Sequence, residues 1–322
     1  MKIITSLLAG LALAASSQAD ILTVDNNPGS VAQFDNFAAA YEAASEGDTI
    51  LLAGSDTDYG VVTIHKRLHI VGPGYLLAEN NVPGLARIPA RISLDIISHP
   101  DPWSGESPSG TTIRGIWGSV YVYDHISGVF VEKCDLNEGT FSSPVVVRGC
   151  HGNVVQFTTP GSVVANSIFV HLSLDAPNIN ASHLVVTEYF TLHAGSQITN
   201  SVFGFPPSYT AAQFSAAAKG SVSYCLALGN YLPAGNGNLN SQLPASVFVN
   251  TGSDDAKWRL KAGSPAIGAG FNGVDIGLFG GAAPYTLSGI PAIPRITHLV
   301  VPTTATHESG LRFEVGAQAF GD

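Results

Sequence analysis

Three ionisable residues recur at one position of a short motif. Arg114, Glu132 and Arg148 each stand second in a hexad: "IRGIWG" (113–118), "VEKCDL" (131–136) and "VRGCHG" (147–152). If that position faces solvent on successive turns of a repeating chain, the three form a row of alternating charge. One chemical reading is a cross-strand ladder, which stabilises little at an exposed surface. The other is a carboxylate-binding stripe, because the arginine fork matches a uronate group. Elimination from a uronate needs a cation to neutralise the carboxylate and a base to take the α-proton. Arg114 or Arg148 would serve as the cation, and Lys133, His151 or His125 as the base. His125 belongs to an Asp124-His125 pair inside "VYVYDHISGVFVEKCDL" (120–136), between two strand-like runs. Polar residues are the ordinary occupants of turns. A turn at 125–128 followed by inward Val129 and Val131 is therefore the plain structural reading of that stretch.

The hexads belong to a longer series. "VANSIF" (164–169), "NASHLV" (180–185), "ITNSVF" (198–203) and "VSYCLA" (222–227) continue it. A short recurrent period of this kind is the mark of a solenoid. The first position reads Ile113, Val131, Val147, Val164, Asn180, Ile198, Val222, an inward stack broken at Asn180. The third reads Gly115, Lys133, Gly149, Asn166, Ser182, Asn200, Tyr224. Gly and Asn tolerate a left-handed backbone, so a sharp bend is expected there. The fourth reads Ile116, Cys134, Cys150, Ser167, His183, Ser201, Cys225, mostly small side chains for the inside of a corner. The cysteines there read as small buried hydrophobes. A Cys134–Cys150 disulfide is also sterically open between coils about 4.8 Å apart.

The fifth position changes character along the chain, from Asp135 and His151 to Ile168, Leu184, Val202 and Leu226. If it faces outward, the later coils carry an apolar strip that the C-terminal tail or a second subunit must cover. Further runs at nine-residue spacing from Val145 predict two or more strands per coil. An isolated coil cannot bury its apolar face, so several must stack with their strands paired in parallel.

With these columns, roughly residues 21–230 resemble the bacterial secreted right-handed parallel β-helix proteins of the pectin-lyase-like superfamily. The resemblance implies a helix capping the open N-terminal end. "FDNFAAAYEAASEGDTILLAG" (34–54) reads as that helix, with Phe34, Phe37, Ala38 and Tyr41 on one face, then a Gly-Asp turn into a strand. "VVTIHKRLHIVGPGY" (61–75) is then the first coil, and "WRLKAGSPAIGAG" (258–270) with "VDIGLFGG" (274–281) is similar to the family's closing segment. Alternation across 297–320, around a polar Glu-Ser-Gly turn, predicts a terminal hairpin.

The Asp124-His125 pair resembles that of pectate lyases. However, "RIPAR" (87–91) is one residue shorter than their Arg-rich stretch and precedes the pair instead of following it. The Gly-His-Gly of polygalacturonases is absent, which leaves Asp254-Asp255 and "RLK" (259–261) without their companion motif. His65 and His69 stand four apart on expected strand or turn, where they would not converge on a metal. No metal site is expected.

Charged residues make up only 12% of the chain and Gly contributes 35 residues, a balance suited to short strands and tight turns. Net charge is −10 without any Lys/Arg cluster, which argues against nucleic acid and anionic membranes as partners. Residues 1–19 read as an export signal: Lys2, an apolar stretch, then Ser17-Gln18-Ala19 before a cut at Asp20. No later segment is apolar enough over enough residues to span a membrane.

The expected fold is an all-β, right-handed parallel β-helix with an N-terminal α-helical cap and a β-rich C-terminal tail. Residues 20–60 form the capping helix and first strand, 61–230 the coils, and 231–322 a tail packed on the solenoid. The expected function is a secreted, periplasmic or cell-surface component, non-catalytic, that binds an extracellular polysaccharide or builds a surface or matrix. The alternative is a polysaccharide lyase acting by β-elimination on uronate-containing glycans, or a glycoside hydrolase. No cofactor is expected, and calcium enters only with the lyase alternative.

Overall fold

The computed structural model describes residues 19–80, 87–101, 103–206, 208–300 and 313–319. The expected export signal lies outside them except for Ala19. Alternation gives each short run one buried face. Val145–Arg148 buries Val145 and Val147, and His151–Phe157 buries Gly152, Val155 and Phe157. Such a face needs neighbours, and each strand finds them one coil above and one coil below.

Two ten-stranded, all-parallel sheets result. The first has strands of three or four residues and runs from Ile21–Val24 to Ser221–Ser223. The second has strands of up to eight residues and runs from Val61–Ile64 to Leu226–Ala227. They are called here the short-strand and long-strand sheets. The chain alternates between them, which makes it a parallel β-solenoid with its core between the sheets. The short-strand sheet begins at Ile21–Val24 and Thr49–Leu52, so coiling starts well before residue 61.

The inward stack is Ile113, Val131, Val147, Val164, Ala181, Ile198 and Val222, in register from coil to coil. Asn180 is not its exception. Asn180 pairs with Val163 and Gln197 on the outer face, and the fifth hexad starts one residue later, at Ala181. His183 thereby moves to the bend, Leu184 to the corner and Val185 to the outer row.

The bend residues all have positive φ: Gly115 65°, Lys133 55°, Gly149 66°, Asn166 45°, His183 55°, Asn200 50° and Tyr224 53°. One left-handed residue per coil redirects the chain from one sheet to the other. Small donors fill most corners behind it, with Ile116 and Leu184 as the apolar exceptions. The Cys134 thiol donates to the Glu132 carbonyl (3.2 Å) and Cys225 to Ser223 (3.3 Å), as Ser167 does to Ala165 (2.7 Å). The three cysteines are free and buried, so the Cys134–Cys150 disulfide is not formed.

The N-terminal helix is shorter than expected, Phe37–Ala43, because the Asn36 side chain caps it by accepting from the Ala39 N–H (2.9 Å). Phe37 and Ala40 face the core, while Ala38 is exposed and Phe34 lies outside the helix, bridged to Val24. The longest step in the repeat, between Ile198 and Val222, is filled by an inserted helix, Ala211–Ala217. It is closed by a Thr210/Gln213 capping box and sets Phe214 among Phe190, Phe203, Phe205 and Tyr231.

The tail covers the later coils. Ile168, Val185, Val202 and Leu226 form a second apolar cluster with Val247, Phe248, Ala266, Ile276 and Leu278. The cover is therefore supplied by the chain itself. Pro294–Val300 and Glu314–Ala319 pair antiparallel, the expected hairpin, whose Glu-Ser-Gly turn lies outside the described residues. No helix among the described residues is long and apolar enough to cross a membrane.

Candidate functional site

The alternating-charge row exists. Arg114, Glu132 and Arg148 are register partners on three successive strands of the short-strand sheet. Glu132 accepts from Arg114 Nε at 2.7 Å and from Arg148 Nη2 at 2.5 Å. The carboxylate is buried, while both guanidinium groups remain partly exposed. The returning tail walls the row: Pro291, Ala292 and Ile293 close a cavity of about 130 Å³ with Arg114, Glu132 and Lys133. Lys133 and Arg148 border a smaller crevice with Ala283, Pro284 and Thr286. One carboxylate thus serves two cations beneath a strap of tail.

The base candidates are not gathered around this row equally. Lys133 adjoins it at the bend, whereas His151 lies past the bend on the long-strand sheet. Asp124 and His125 sit in an exposed turn after Ile116–Val122, at the other end of the long strands. His151 has a different partner. Its Nδ1 lies 2.8 Å from Oδ1 of Asp135, the residue beside it in register, and its ring is 6.3 Å from that of Tyr75. Burial pulls the His151 pKa down, but the hydrogen bond and charge of Asp135, helped by Asp254 and Asp255, leave it above the ordinary imidazole value.

A buried polar network lies under this part of the tail. Tyr75 contacts the Gly149 carbonyl (3.1 Å) and the Tyr285 hydroxyl (2.5 Å), and Tyr285 donates to Asp255 (3.3 Å). Asp255 is fully buried and also accepts from Asn80 Nδ2 (3.1 Å), Ser253 Oγ (2.6 Å) and the Ser288 N–H (2.8 Å). Burial pushes the Tyr285 hydroxyl pKa well up, reinforced by the Asp255 charge. Asp255 is a structural keystone, which accounts for it without polygalacturonase chemistry.

Sequence reasoning did not find the outer face of the long-strand sheet. Glu138, Val154, His171 and Tyr189 are register neighbours across four coils, beside the row Tyr121, Thr140, Gln156, Ser173, Thr191. The Tyr121 hydroxyl donates to Glu138 (2.6 Å), and Asp175 accepts from Gln156 (2.9 Å) and Thr191 (2.6 Å). His171 meets Glu188 (3.3 Å) and, edge-on, the exposed Tyr189 ring. Arg91 lies over Trp117, 5.1 Å from its centroid. The signal for this face was the alternation downstream of each hexad, which assigns Thr140, Gln156, Ser173 and Thr191 outward.

The paired histidines do not converge: His65 Nδ1 bonds the Ile97 carbonyl (3.1 Å) and His69 Nδ1 the Thr112 hydroxyl (2.7 Å). Among the described residues there is no cluster of three His, Cys, Asp or Glu side chains able to hold a metal. No protein-family model, curated protein or solved structure matches the chain.

Proposed function

We propose that the protein is an exported, right-handed parallel β-helix of the pectin-lyase-like kind, serving as a non-catalytic carbohydrate-binding or surface/matrix component. The Phe37–Ala43 helix acts as the N-terminal cap, since it sets Phe37 and Ala40 against the core beside the first strand. The observation that carries the function is the outer face of the long-strand sheet. A face that combines Tyr121 and Tyr189 rings with carboxylate, amide and hydroxyl groups offers both stacking surface and hydrogen bonds to sugars. The Arg114–Glu132–Arg148 row supports the non-catalytic side of the reading, because Glu132 already engages both arginines beside the tail.

A second reading, a lyase or hydrolase, is favoured by one observation. The His151–Asp135 pair is an oriented acid–base dyad of the type that assists proton transfer. A screen of the mature chain from Asp20 against pectin, alginate, glycosaminoglycans and neutral glycans separates the two, run with calcium and with chelator. The expected result is binding without turnover, weakened in Tyr121→Ala and Tyr189→Ala. Unsaturated uronate or new reducing ends that vanish in His151→Gln would establish the second reading instead.

A further inference from the structure

At the bend of the fifth hexad, His183 is 7% exposed and wedged between the solenoid and the tail. Its Nδ1 lies 3.1 Å from the Gly277 carbonyl, and its Nε2 lies 3.3 Å from Asn200 Nδ2. The carbonyl only accepts, so Nδ1 must carry a proton. The Asn200 amide cannot reverse at no cost, because its Oδ1 already accepts from the Phe271 N–H (2.8 Å). Its NH2 therefore points at Nε2, which must present a lone pair. The two contacts together define a neutral imidazole.

The tail packs closely against the ring. A Cβ on Gly280 would come within 2.8 Å of Nδ1, and one on Gly281 within 2.8 Å of Nε2. These glycines let the tail close directly on the ring. The same stretch is tied to the next bend by the Gly277 N–H to the Asn200 carbonyl (2.8 Å), and to the previous one by Asn166 Nδ2, which donates to the Leu278 and Gly280 carbonyls.

We infer that His183 is an acid-sensitive latch: protonation at Nε2 sets N–H against N–H, loosens residues 268–281 and uncovers the apolar row Ile168, Val185, Val202 and Leu226. The groups facing it are few. Asn166 and Asn200 on the neighbouring bends do not titrate. On the tail segment Asp275 is the titratable residue, and it accepts from the Gly268 N–H (2.8 Å). Arg259 stacks on Phe279 of the same segment, 6.0 Å from its centroid. Burial holds the His183 pKa below its ordinary value, against the opposing pull of the Gly277 carbonyl and Asp275. His151 opposes the latch at another part of the tail, since its protonated form faces Asp135, Asp254 and Asp255. The inference stands apart from the carbohydrate reading.

The test is hydrogen exchange of residues 268–281 in the full chain across acidic pH, expressed as protection so that intrinsic exchange cancels, with an apolar dye in parallel. Opening is expected to rise by up to about tenfold per pH unit below the ordinary imidazole range, the limit for one proton, with matching dye uptake. His183→Asn introduces the residue that Asn166 and Asn200 place at the same bend, and the rise should disappear. His183→Lys, using a residue that Lys133 shows the bend tolerates, should open the segment at neutral pH. An unchanged pH profile in His183→Asn, or flat protection of the wild type through the acidic range, would overturn the latch. The wild-type and His183→Asn comparison decides this without His183→Lys.

Discussion

The early and late coils use one backbone plan for opposite surfaces. In the outer row, Trp117, Asp135 and His151 of the early coils are polar or amphipathic and partly exposed, whereas Ile168, Val185, Val202 and Leu226 are apolar and buried under the tail. The row beside the inward stack likewise changes from Arg114, Glu132 and Arg148 to Ala165, Ser182 and Thr199. The bend, the corner and the inward stack are common to both. The lesson is that a solenoid position fixes where a side chain points, and its residue type then records what lies on it.

The comparison breaks most severely at the joint between the regions. Asp255→Ala should cost about 4 kcal/mol in denaturant unfolding, because it removes the acceptor shared by Asn80, Ser253, Tyr285 and the Ser288 N–H at a fully buried site. A loss below about 1 kcal/mol would mean that the network does not hold the tail.

Within the covered row, Leu226→Ala should cost about 3 kcal/mol. By contrast, the partly exposed Phe130 of the early coils should tolerate Ala within about 0.5 kcal/mol. Equal costs would contradict the contrast between the covered row and the exposed face.

Asn166→Gly keeps the left-handed bend but removes the bonds to Leu278 and Gly280, so about 1–2 kcal/mol should be lost. Tail amides should lose protection more than those of the early coils.

Glu132→Gln should cost only about 1 kcal/mol, since both arginines are partly exposed and screened. The loss should shrink further in high salt. An undiminished loss would place the row in a drier setting than its exposure indicates.

The smallest effect should appear in the pH dependence. His151 titrates above the ordinary imidazole value. Its stabilisation is full below that value and disappears as pH rises through the raised one. His183 titrates lower, so its stabilisation is full above the ordinary value and disappears as pH falls through the depressed one. Unfolding curves of His151→Gln and His183→Asn should therefore differ from wild type with opposite slopes in pH. Parallel curves would show that the two regions do not differ in this way.

Much of the architecture was legible because a repeat states the same constraint many times. Valine and isoleucine in one column, small side chains in another and Gly or Asn between them have few geometric solutions. At "NASHLV" the sequence frame stands one residue early, which sets Asn180 in the inward column and Leu184 in the outer one. The burial of Leu184 and the left-handed tolerance of histidine both favour the frame the structure adopts. The expected helix erred for a local reason: the Asn36 cap, not Phe34, sets where it starts.

The sequence by itself determined the coil, because period, bend chemistry and alternation are local properties that every coil repeats. It also determined that the later outer row needs a cover. Only the tertiary structure decided what that cover is, which buried acid anchors it, and that Glu132 is shared by two arginines beside it. Those outcomes depend on contacts between residues far apart in the chain, such as Asn80 with Asp255 and His183 with Gly277, and no periodicity encodes them. The long-strand outer face came to light the same way, since its rows are assembled by register across coils and not by order along the chain.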